Sequence, residues 1–139
     1  MLSFISGGLF RFGVGAGCNA GDGSHHGTDP SKRWSLLRDR IAAIKTLWKD
    51  EVASYHGPYV DFDDSWQWPK PVQKPHPPIL MGGGSPAAIK HAAEYAAGWM
   101  PLPDKGQGPL SDRMALPQQL ASDAGRPPLE VTAYGANPN

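Results

Sequence analysis

Pro77-Pro78-Ile79-Leu80-Met81-Gly82-Gly83-Gly84-Ser85-Pro86-Ala87-Ala88 runs from a strand signal through a glycine turn into a helix start. Ile79, Leu80 and Met81 form a short apolar run of buried-strand type. Three glycines then remove every side chain where the backbone turns. Ser85 is a good N-cap, and Pro86 suits the first helical position, where a missing N–H costs nothing. A backbone stripped to glycine beside a helix N-terminus presents N–H donors at the positive end of the helix dipole. Gly82, Gly83, Gly84 and Ser85 are therefore candidate ligands for a phosphate. The same residues also suit a plain strand-to-helix turn in which Ser85 only caps the helix.

Working outward, strand and helix signals alternate on both sides. Leu9 to Ala16 reads as a strand whose Gly13 and Gly15 allow close approach of another backbone or a ligand. Asp29 and Pro30 open a helix on which Trp34, Leu37, Ile41, Ile44 and Trp48 recur at steps of three and four, a single apolar stripe. Its tryptophans read as core, so no function is assigned to this helix. Val52 to Phe62 reads as a hairpin turning at His56-Gly57-Pro58. Trp66, Trp68 and prolines at 69, 71, 75, 77 and 78 mark an extended connector, with Trp66 and Trp68 expected to pack on the body. A Pro-rich ligand for a partner protein is the alternative for that segment.

Downstream, Pro86 to Ala97 is a small-residue helix expected to stop at Gly98. Trp99 to Leu102 is a short strand, and Leu110 to Ala124 a helix that Pro117 should kink or split. Leu129 to Gly135 alternates as a last strand. Such alternation is that of parallel α/β structure. Four strands in this length amount to about half of an eight-stranded barrel, with a small open sheet as the other geometry.

Composition narrows the function classes. In 139 residues, 13 basic and 13 acidic side chains cancel, so neither nucleic acid nor an anionic membrane is an expected partner. The single cysteine, Cys18, forms no internal disulfide and fits a reducing compartment, and a cytoplasmic location is expected. Met1 to Phe10 is a poor signal peptide, and no apolar run is long enough to span a bilayer. Gly15-Ala16-Gly17-Cys18-Asn19-Ala20 has the form of a dinucleotide fingerprint, but a loop follows where that motif needs a helix. Asp22, His25, His26 and Asp29 carry ligating atoms without the spacing of a site, so the loop is read as solvated and no metal is expected.

Ser6-Gly7-Gly8, Arg11-Phe12-Gly13-Val14-Gly15-Ala16-Gly17-Cys18-Asn19, Tyr55-His56-Gly57-Pro58-Tyr59, Trp68-Pro69-Lys70-Pro71-Val72-Gln73-Lys74-Pro75, Pro77 to Ser85 and Gly98-Trp99 stand in an order that resembles the bacterial luciferase-like oxidoreductases. The wording is most similar to the deazaflavin-dependent branch. The resemblance implies a partial TIM (β/α)8 barrel of about four strand-helix units with an inserted hairpin, residues 1–139 forming one partial domain, a middle fragment of a larger flavoenzyme. It implies hydride transfer between a deazaflavin (coenzyme F-420) and a small organic substrate. The neighbouring branch would instead be an FMN-dependent monooxygenase, and an inactive or partner-binding remnant is a third reading. By the same resemblance Gly82, Gly83, Gly84 and Ser85 lie against the coenzyme phosphate, and Gly17 and Asn19 near its ring system. Cys18 stands where tryptophan is usual, and Leu9 replaces a usual arginine. No catalytic acid or base is assigned, and the full-length parent is expected to be a homo-oligomer.

Overall fold

The computed structural model describes residues 1–17, 29–102 and 109–133. In chain order its elements are α1 (Leu2–Ile5), β1 (Phe12–Val14), a 3-10 turn (Pro30–Lys32), α2 (Arg33–Lys49), β2 (Ala53–His56), β3 (Asp61–Ser65), β4 (Ile79–Gly82), α3 (Pro86–Tyr95), β5 (Gly98–Met100), α4 (Leu110–Asp123) and β6 (Glu130–Val131). They fall into two compact units: Met1–Phe10 with Ala16–Pro77, and Arg11–Gly15 with Pro78–Asn139.

The second unit is built on a parallel sheet of order β1-β4-β5-β6. Its central strand β4 carries the apolar run, and Ile79, Leu80 and Met81 are all buried. Burial of such side chains stabilises by roughly 1.5–3 kcal/mol each. Gly98 pairs with Leu80 on one side and Glu130 on the other. A Cβ there would come within 2.6 Å of both the Glu130 carbonyl oxygen and Leu80 Cδ2, so only glycine fits between these strands. Gly98 is thus the first residue of β5. The expected helix stop falls instead at Ala96, whose extended backbone ends α3.

Helix α3 buries Ala88, Ile89, Ala92 and Ala93 along one face. Its C-terminal carbonyls are taken by Arg126, which donates to Ala93 at 2.8 Å and Ala96 at 2.7 Å. A cation at that end also complements the helix dipole. Pro117 neither splits nor ends α4: the helix continues through it, with the ring fully buried. The lost backbone hydrogen bond is thus accompanied by full burial of an apolar ring.

The first unit holds α2 and the antiparallel pair β2–β3. Asp29 caps as expected but caps the 3-10 turn, accepting from Ser31 N at 2.9 Å. On α2, Ile41 is buried while Trp34, Leu37, Ile44 and Trp48 are half-buried. The polar face holds a surprise, because Asp39 is only 5% exposed. Its carboxylate accepts from the Tyr55 hydroxyl at 2.6 Å, Tyr59 N at 2.9 Å and Val60 N at 2.8 Å. Those N–H groups are thereby withdrawn from the ladder, so the second strand begins at Asp61, later than the sequence suggests.

The Pro-rich stretch is anchored by polar side chains. Lys70 Nζ donates to the carbonyls of Leu47 at 2.7 Å and Asp50 at 2.5 Å, at the C-terminal end of α2. Gln73 accepts from Ser3 Oγ and donates to the Phe10 carbonyl, both at 2.8 Å. Trp66 and Trp68, expected to be packed, are instead 68% and 58% exposed. Lys70, not an apolar surface, covers the Trp68 ring at 5.2 Å from its centroid.

Candidate functional site

The site is assembled from the end of β4 upward. Gly83 N–H donates to the Met100 carbonyl at 3.1 Å, so the pairing of β4 with β5 reaches into the turn. That removes one of the donors expected of the glycines. Gly83 has φ +115, a conformation open to glycine, and a Cβ on it would lie 3.3 Å from the Ala88 Cβ. The chain then enters α3 through Ser85, whose extended backbone (φ −71, ψ 153) and side chain form the N-cap. Ser85 Oγ accepts from Ala88 N at 3.2 Å. The capping role is therefore real, and the hydroxyl hydrogen is still available to donate elsewhere.

Among the described residues the N–H groups of Gly84 and Ser85 make no hydrogen bond. Gly82, Gly83 and Gly84 are half-exposed and Ser85 is exposed. Two amide donors without a partner, one hydroxyl and the positive end of a ten-residue helix thus lie in one short, solvent-accessible stretch. Such a donor set fits a phosphate. Gly17 belongs to the first unit, where it adopts φ +77 and its carbonyl accepts from Arg33 Nη1 at 3.4 Å. Asn19 lies outside the described residues, as do Asp22, His25 and His26.

Two side chains that the sequence marked only as strand and helix residues frame the turn. The Trp99 indole, fully buried, donates from Nε1 to the Gly83 carbonyl at 2.7 Å. The Arg113 guanidinium lies 5.8 Å from the Trp99 ring centroid, within cation–π range. The Gly98-Trp99 landmark was the one signal that could have drawn attention to them.

The shifted titrations lie in the first unit. Burial raises the Asp39 carboxyl, but its bonds from Tyr55, Tyr59 and Val60 outweigh this and hold it below the usual carboxylate range. The hydrogen bond to Asp39 raises the Tyr55 hydroxyl. His56 is raised chiefly by the Asp61 carboxylate, 2.6 Å from Nδ1. These groups tie helix to hairpin or sit at the hairpin surface. Among the described residues no cluster of His, Cys, Asp and Glu could hold a metal.

Residues 1–136 match the luciferase-like monooxygenase family. An uncharacterised protein of Mycobacterium tuberculosis is 37% identical over 139 residues, 99% of this chain and 48% of that protein. The chain thus spans about half the length of that relative. An FMNH2-dependent dimethylsulfone monooxygenase of Pseudomonas putida is 37% identical over 65 residues, 47% of this chain and 18% of that enzyme. Among solved structures, an F-420-dependent secondary alcohol dehydrogenase in complex with an F-420–acetone adduct superposes with a TM-score of 0.76 at 20% identity, covering 95% of this chain and 41% of that one. The four parallel strands and their helices are accordingly part of a TIM barrel, as the sequence predicts. The chain belongs to the luciferase-like monooxygenase family.

Proposed function

We propose that the chain carries the phosphate cradle of an oxidoreductase that moves a hydride between a deazaflavin, coenzyme F-420, and a small organic substrate in the cytoplasm. The observation that carries this reading is the turn after β4, with the Gly84 and Ser85 N–H groups open at the head of α3. Gly82, Gly83, Gly84 and Ser85 would hold the coenzyme phosphate. Gly17 and Asn19 would lie toward its ring system, where an asparagine amide can both donate and accept. A bound deazaflavin supplies the hydride chemistry, and the protein binds and orients it. In that division of labour, the turn neutralises the charged tail with backbone dipoles, and the Ser85 hydroxyl adds a donor while still capping the helix.

The second reading is an FMN-dependent monooxygenase, favoured by the likeness to the Pseudomonas enzyme named for reduced FMN. FMN too carries a phosphate on its ribityl chain, so the same cradle serves both. Titration of coenzyme F-420 and of FMN into the chain, wild type and Ser85→Ala, separates them. Tighter deazaflavin binding supports the first reading, and tighter FMN binding supports the second. Equal affinity of wild type and variant for both compounds would remove Ser85 from the cradle.

A further inference from the structure

We infer that Trp99 is a positioning residue for the phosphate cradle: its indole N–H fixes the Gly83 carbonyl and thereby aims the Gly84 N–H at the bound anion. The inference rests on the reading of the turn as a phosphate site and goes beyond it by naming what holds the turn in its binding conformation. A planar trans peptide points its C=O and the following N–H in opposite directions. Trp99 is fully buried and grips the Gly83 oxygen at 2.7 Å, so the Gly84 N–H faces away from the indole, out of the core. Gly83 has positive φ and no side chain, so a glycine triplet by itself leaves this peptide free to flip. A flip would replace an N–H with a carbonyl oxygen, and the turn would repel an anion.

The indole is in turn held from outside. The Arg113 guanidinium lies over its ring and donates to the Leu102 carbonyl at 3.5 Å, just beyond β5. One interaction therefore links the strand after the turn to the polarity of the turn. Neither a helix cap nor core packing requires an indole nitrogen here, since phenylalanine would fill most of the same space.

The test compares FMN with riboflavin, which share a ring system and differ by the phosphate, in the full chain and in Trp99→Phe. Fluorescence quenching gives both dissociation constants. Wild type should prefer FMN, and Trp99→Phe should shrink that preference by roughly three- to tenfold, the loss of one hydrogen bond's orienting effect, while riboflavin affinity stays within about twofold. A merely structural loss would weaken both ligands alike. An unchanged FMN-to-riboflavin ratio in the variant overturns the inference. No preference in wild type overturns the phosphate reading itself, a distinct result. Should Trp99→Phe not fold, amide NMR of the wild-type chain titrated with inorganic phosphate serves instead: the Gly84 N–H and the Trp99 indole N–H should shift together, and movement of Ser85 alone would overturn the coupling.

Discussion

Ser85 has two duties that one substitution separates. Ser85→Ala removes the acceptor for Ala88 N, which should cost about 1 kcal/mol of stability by the capping scale. It also removes a hydroxyl donor, and a charge-assisted bond to phosphate is worth about 1.5–3 kcal/mol, or one to two powers of ten in affinity. Thermal melts read the first effect and FMN titration the second. At Gly83 a valine Cβ would press on Ala88 from a left-handed backbone. Gly83→Val should therefore lower the melting temperature as well, by the equivalent of about 1–3 kcal/mol. At the surface, His56 beside Asp61 should titrate above 6.5, and Asp61→Asn should bring it back toward that value in a proton NMR titration. Because the folded value is raised, this pair contributes fully below pH 6.5 and is lost as pH rises through the folded pKa.

At the scale of elements, one carboxylate ties α2 to the β2–β3 hairpin. Asp39 ionised accepts three bonds, and Tyr55 must stay protonated to give one of them. The depressed Asp39 keeps its contribution above pH 3.8 and loses it as pH falls through its lower folded value. The raised Tyr55 keeps its contribution below pH 10.0 and loses it as pH rises through its higher folded value. Asp39→Asn should therefore lower the melting temperature at pH 7 and flatten the acid limb of the stability curve, and Tyr55→Phe should act on the alkaline limb. Coincident pH profiles for wild type and Asp39→Asn would remove the carboxylate from this role. The glycine turn was legible because a cap, a proline and three glycines are local signals. Asp39 was not, since its position on the helix marks it as solvated and its donors lie on another element. Trp99 escaped for the same reason: a buried tryptophan reads as packing until its nitrogen is seen to have a partner.

For the molecule as a whole, the alternation of strand and helix signals was enough to predict the parallel sheet, although β1, β5 and β6 proved shorter than their apolar patterns. Pattern reports burial, whereas strand length depends on where the neighbour runs out. Both outer strands, β1 and β6, have one edge with no strand partner among the described residues. Phe4, Ile5, Leu9, Leu102 and Leu116 are each more than half exposed. The isolated chain should therefore self-associate or bind a hydrophobic dye. Light scattering behind a sizing column checks this, and a dye-silent monomer with one sharp melt would refute it. The pairing of β1 with β4 carries a consequence in time. At synthesis rates of about 5–20 residues per second, β1 leaves the ribosome several seconds before the strand that completes its ladder, because a long helix and a hairpin are made in between. Through that interval β1 waits for β4, and the order of synthesis, more than the strength of any contact, decides when this pairing can begin.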